Sequence, residues 1–215
     1  MATRGLNARI LDRAKRRVIR LQAEVVREGG FFLAGGTGLG LRIGHRLSDD
    51  LDWFTPNPFD VTALMARLAA LPEKPSELRR DGRHTVRAYY DTLETSFIMY
   101  AQVPAHPELL TIERIQIPIA DLDILAAMKA AVLHDRGARR DFIDVHAILG
   151  LPGWSVARFI EHAVRHLPLE PEQIARSLTY FADAERDPMP RGCTISWRKV
   201  KADLTKGVRE WERAR

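Results

Sequence analysis

Near residue 120 the apolar periodicity of this chain changes, and that change limits the folds open to it. Before it, short apolar runs punctuated by Gly, Pro and Asp alternate with amphipathic stretches. "FFLAG" has the composition of a short buried strand, and "DLDWFT" that of a second strand ended by Pro56. Between them Thr37 to Arg46 reads as a helix, despite Gly38, Gly40 and Gly44. Val61 to Leu71 reads as another helix. "HTVRAYYD" and "TLETSFIMYAQV" read as strands joined tightly near Asp91-Thr92, and "LTIERIQIPIA" as one edge-like strand with Pro118 near its end. From Asp121 onward the spacing is helical throughout, from "DLDILAAMKAAVLHD" to "WRKVKADLTKGVREWERAR". The expected class is therefore α/β (α+β), a short mixed sheet followed by a C-terminal helical bundle. The expected division is residues 1–120, with an N-terminal helix, and residues 121–215.

That N-terminal helix, "LNARILDRAKRRVIRLQAEVVREGG", places Ile10, Ala14, Val18, Leu21 and Val25 at helical spacing before a Gly-Gly stop. Arg9, Arg13, Arg16, Arg17 and Arg20 crowd the other face. Two readings stay open for them, a solvated polar face and a stripe facing RNA. The chain of 215 residues carries a formal net charge of +5, which weakly favours anionic partners. Its single cysteine, Cys193, excludes an internal disulfide framework and any cysteine-based zinc site. A cytoplasmic location is expected, because the first seventeen residues lack the apolar core of a signal peptide. No stretch reaches the ~18 apolar residues of a membrane helix, so no membrane partner is expected.

The segment from Phe31 to Phe54, "FFLAGGTGLGLRIGHRLSDDLDWF", concentrates the chemistry. It is not a dinucleotide fingerprint: counting G-x-G-x-x-G from Gly36 ends on Leu41, and from Gly38 on Ile43. Nor is it a Walker loop, since no Gly-Lys-Ser/Thr follows. A Gly-Gly corner can be purely structural, but two aspartates lie close by. Asp50 and Asp52 are two apart at the head of a strand, so their carboxylates leave one face. When ionised they repel, and a hard divalent cation such as Mg²⁺ relieves the repulsion. A glycine turn opening a helix offers bare amides to phosphate. Phosphate cradle plus metal carboxylates is the minimal equipment for nucleotidyl transfer.

These residues, "LAGGTGLGLRIGHRLSDDLDWFT", resemble the first motif of the AbiEii/AbiGii-type nucleotidyltransferase toxins, members of the DNA polymerase β-like superfamily. "AAMKAAVLHDRGARRDFIDVHAIL" resembles their later Lys…Arg-Gly…Arg/Lys-Asp-Phe-x-Asp motif, and "SLTYFADAERDPMP" one branch's C-terminal segment. The likeness spans about residues 25–200. It implies a polymerase β-like nucleotidyltransferase core that transfers an NMP from an NTP with Mg²⁺ or Mn²⁺. The implied acceptor is an RNA, such as a tRNA, or a protein. The implied setting is a type IV-like toxin–antitoxin or abortive-infection system with a cognate antitoxin. By the resemblance, Gly35, Gly36 and Thr37 hold triphosphate, Asp50 and Asp52 hold metal, Lys129 meets phosphate, and Asp141 or Asp144 supports the site.

Read without the resemblance, Lys129 lies on or beside the stripe of Leu122, Leu125, Met128 and Val132, where a lysine must either snorkel or find a partner. Asp141 and Asp144 share a helix side. They form either an exposed acidic face paired with Arg139 and Arg140, or acids orienting Lys129 or an arginine. Arg136 is a second phosphate clamp or an ordinary surface residue. Polymerase β-like catalysts usually add a third carboxylate on a neighbouring strand, and here Ser96 falls at that position. Glu94, on the same strand face, is the candidate substitute ligand. The missing acid leaves a second reading open, a catalytically degenerate nucleotide- or RNA-binding module of the same fold. His134 and His146 are expected to be structural, and Trp53 to be core or to touch a nucleobase.

Overall fold

The computed structural model describes residues 6–102, 107–112 and 114–215. Val103, the end of one expected strand, lies outside them. The contacts divide the chain into two units, one of residues 1–44 and 48–121, the other of residues 45–47 and 122–215.

The first unit is a mixed seven-stranded sheet with helices on it. A 3-10 turn, Ala8–Ile10, precedes helix α1 (Arg13–Glu28), whose Asp12 cap accepts the Lys15 amide at 2.8 Å. Strands β1 (Phe32–Leu33) and β2 (Leu51–Thr55) flank helix α2 (Gly35–Ile43). Helix α3 (Val61–Ala69) follows, capped by Asp60. The sheet is completed by β3 (Glu77–Arg80), β4 (Thr85–Tyr90), β5 (Leu93–Met99), β6 (Glu108–Ile112) and β7 (Ile115–Ile119), in the order β3-β4-β5-β2-β1-β7-β6. β1 runs antiparallel to β2 and parallel to β7, and β2 runs parallel to β5.

Helix α2 starts two residues before the expected Thr37 and ends at Ile43, because Gly44 adopts a left-handed φ of +75° that terminates the last turn. The single strand expected over "LTIERIQIPIA" is a hairpin of two, turning beside Arg114 at φ +72°. β3 was not expected at all.

Alternation along β2 buries Leu51, Trp53 and Thr55 completely and leaves Asp52 and Phe54 half-buried on the other face. Trp53 belongs to the core. Its indole N–H donates to Gln22 Oε1 at 2.9 Å, and the Gln22 amide donates to Thr95 at 3.0 Å. Phe97 lies against Trp53, with ring centroids 6.5 Å apart, and meets Phe31 edge-on at 5.1 Å.

The second unit is helical: α4 (Leu122–Asp135), α5 (Arg139–Leu149), α6 (Val156–His166), α7 (Pro171–Thr179) and α8 (Trp197–Arg213). From its core, Phe142 meets the half-buried rings of Phe181 and Trp197, which also touch each other, with the Arg139 guanidinium 5.0 Å over the indole.

Candidate active site

In the sheet unit, the Ala34 N–H donates to the Asp52 carbonyl at 3.0 Å, which sets the start of α2 beside the strand carrying the acids. Gly35 then takes φ +60°, the left-handed region that glycine occupies without strain. A methyl group added there would overlap Asp52 Oδ2 and stand 3.2 Å from its Cβ and Cγ. The Asp52 carboxylate is therefore aimed at the glycine corner, and only a residue without a side chain fits between them. Gly35, Gly36 and Thr37 are the first residues of α2, where helix geometry gives the amides no intrahelical acceptor.

Thr37 is 1% exposed, and its hydroxyl donates to the Asp50 carbonyl at 2.5 Å. In this structure it ties the helix start to the acidic loop. Asp50 precedes β2 and accepts from the Ser48 hydroxyl at 2.8 Å. Asp50 and Asp52 are both half-buried. The donor set, two carboxylates beside bare amides, fits a hard divalent cation carrying further oxygen ligands from phosphate and water.

Ser96 is the β5 residue registered against Asp52. Glu94, two residues earlier, accepts from Arg87 at 2.7 Å, the Tyr89 hydroxyl at 3.1 Å and the Ser96 hydroxyl at 3.2 Å. Among the described residues no three His, Cys, Asp or Glu side chains gather as a metal-binding group. Glu94, suggested above as a ligand, forms no such group with Asp50 and Asp52 among the described residues, and its oxygens accept from the arginine and the tyrosine.

The helical unit holds a buried charge cluster. Lys129 on α4 reaches Asp141 at 2.9 Å and Asp144 at 2.6 Å, both on α5 and both fully buried. Snorkelling does not occur, and neither aspartate lies on an exposed face. The Arg46 guanidinium grips Asp144 through two bonds of 2.6 and 2.8 Å, and His45 Nε2 lies 2.6 Å from the same carboxylate. Burial opposes the charge of Lys129, but Asp144 and Asp141 outweigh it and raise its pKa. Burial likewise opposes charge on Asp144, and Lys129, Arg46 and His45 overcome it, holding that carboxyl far below the usual range. Among the described residues the second oxygen of Asp141 has no hydrogen-bond partner, and Arg136, whose side chain is 57% exposed, stands 3.7 Å from it.

His45 and Arg46 were not singled out from the sequence. The available signal was an accounting one: two acids on a helix side adjoining Phe142 and Val145 need cations from elsewhere. His146 binds Asp203 at 2.7 Å, and His134 lies 3.3 Å from the Ser177 hydroxyl.

Similarity to known proteins agrees with this geometry. A family model described as the AbiEii nucleotidyl transferase toxin of type IV toxin–antitoxin systems matches residues 21–215. An uncharacterized protein of Aquifex aeolicus (strain VF5) is 31% identical over 191 residues, covering 84% of this chain and 87% of that protein. JHP933 from Helicobacter pylori superposes with a TM-score of 0.57 at 17% identity, over 93% of this chain and 90% of that one. MenT4, a nucleotidyltransferase toxin of Mycobacterium tuberculosis H37Rv, does so with a TM-score of 0.51 at 19% identity, over 94% and 93%. At these identities the two structures establish a shared fold. The match over nearly the whole chain goes further: this protein belongs to the AbiEii nucleotidyltransferase toxin family.

Proposed function

We propose that the protein moves a nucleoside monophosphate from an NTP to a hydroxyl of an RNA acceptor, using Mg²⁺ or Mn²⁺, as the toxin of a type IV-like pair with a cognate antitoxin. The observation that carries this reading is the packing of the Asp52 carboxylate against Gly35 at the start of α2.

Asp50 and Asp52 would hold the cation, and the amides of Gly35, Gly36 and Thr37 would receive phosphate oxygens. When bound, the cation neutralises the triphosphate and the departing pyrophosphate. The acceptor hydroxyl oxygen forms a bond to the α-phosphorus as the α–β bridging bond breaks, pyrophosphate leaves with the bonding pair, and the hydroxyl proton passes to solvent. Thr37 acts through its hydroxyl as a brace on the Asp50 loop. Within the helical unit, Lys129 is engaged by the supporting acids Asp141 and Asp144, and the exposed Arg136 stands beside Asp141 as a group that could bind an anion. Glu94 has no metal role in this reading.

Incubation with labelled NTPs, Mg²⁺ and bulk tRNA tests it. Label should enter the RNA with wild-type protein and not with Asp52→Ala; equal labelling by both would refute it. Ser96 in place of an acid favours a second reading, a silent module that binds nucleotide or RNA. Binding without transfer by the wild type would select that one, and transfer to a partner protein alone would change the acceptor.

A further inference from the structure

Helix α8 buries Val200, Leu204 and Val208 at 0–4% exposure and turns another face outward. Along that outward face run Arg198, Lys201, Thr205, Lys206, Arg209 and Arg213, with Glu210 the single acid among them. Among the described residues, only those of α8 line this surface. Arg198, Arg209 and Arg213 are exposed, and among the described residues no hydrogen bond or ion pair engages them. Lys201 is held by Glu185 at 2.5 Å. Lys206 meets Glu210 at 3.7 Å, an exposed pair of little strength. The row from Arg198 to Arg213 is about 22 Å long, with cations recurring about every one or two helical turns.

We propose that this face of α8 is a docking surface for the phosphate backbone of RNA; the choice of RNA rests on the acceptor proposed above. A line of guanidinium groups complements a line of phosphates, because each can bind phosphate bidentately and release a counterion. A membrane surface fits poorly, since the apolar side of α8 lies inside the fold and cannot enter lipid. An acidic protein fits poorly too. Protein interfaces need an apolar centre, and between the cations this face offers only Ala202 and Thr205.

The test uses the full chain and a fluorescent mixed-sequence oligoribonucleotide, read by anisotropy over a range of NaCl concentrations without NTP. The combined Arg198→Gln, Arg209→Gln, Arg213→Gln variant should bind at least about tenfold more weakly near 0.1 M salt, with its log–log salt slope shallower by about 2. The matching triple Lys variant should recover most of both, and thermal melting should be unchanged in either. Equal affinity and slope for the Gln variant would overturn the proposal, as would wild-type binding to anionic vesicles but not to RNA. Failure here is separable from failure of the transferase reading. If the Gln variant binds and transfers label like the wild type, the docking surface is refuted and the activity stands. If wild-type protein transfers nothing yet binds RNA through these arginines, the surface stands and the activity does not.

Discussion

At Gly35, conformation and proximity impose the same demand. The left-handed backbone excludes other residues at a cost of about 1–2 kcal/mol, and the Asp52 carboxylate fills the space a side chain would need. Gly35→Ala should lower stability in urea by about that amount while reducing label transfer by roughly a hundredfold, because a carboxylate displaced by an ångström no longer holds its ligand in place. Asp144 is the opposite kind of residue, a buried charge sustained by its surroundings. Asp144→Ala leaves Arg46 without its bidentate partner and Lys129 with only one, so a loss of about 3–5 kcal/mol is expected in denaturant unfolding. The sign of the pH dependence follows from the depressed carboxyl of Asp144. Its contribution is complete above the unfolded value of about 3.9 and is lost as pH falls below it toward the folded value. Lys129, raised in the fold, contributes fully below about pH 10.4, and that contribution declines as pH rises through its folded value. Urea midpoints measured from pH 2 to 11 should therefore fall at both ends, and the Asp144→Ala variant should show a smaller decline on the acid side.

Elements were legible in the sequence where apolar residues marked them. β2 and α4 to α8 bury residues at strand or helix spacing, and Gly35, Gly36, Asp50 and Asp52 announced themselves through turn and carboxylate chemistry. β3 did not, because its sequence "ELRR" is almost wholly polar and, among the described residues, it pairs along one side only, with β4. The β6–β7 hairpin was read as one strand because its turn uses a non-glycine residue, Arg114, at positive φ. The role of Arg46 was hidden by distance along the chain, 98 residues from Asp144. Packing between elements sets two expectations. Gln22→Met strands the Trp53 indole N–H in the core and should destabilise by about 1–3 kcal/mol in thermal or urea unfolding. Gly207→Ala gains about 1 kcal/mol of helix propensity, but its methyl would sit 2.7 Å from a methyl of Val156, a stiff β-branched side chain. Overpacking of about 1–3 kcal/mol outweighs the gain, so the melting temperature should fall by a few degrees.

At the scale of the whole chain, the division expected at residue 120 falls one residue before the end of the sheet unit at Asp121, and it misses an exchange of chain earlier in the sequence. Three residues, His45–Leu47, lie with the helical unit although the sheet unit surrounds them in sequence. They are anchored there by Asp144 and by the Leu47 amide donating to the Arg191 carbonyl at 2.8 Å. The helical unit is thus assembled from two stretches of chain that strands β2 to β7 separate, and its closure carries the loop entropy of that long insertion. A fragment starting at residue 122 would leave Asp144 with one of its three cationic or imidazole partners. Expressed by itself it should be poorly cooperative by circular dichroism and prone to self-association on a sizing column. No single cut of the polypeptide separates the two units with both left entire.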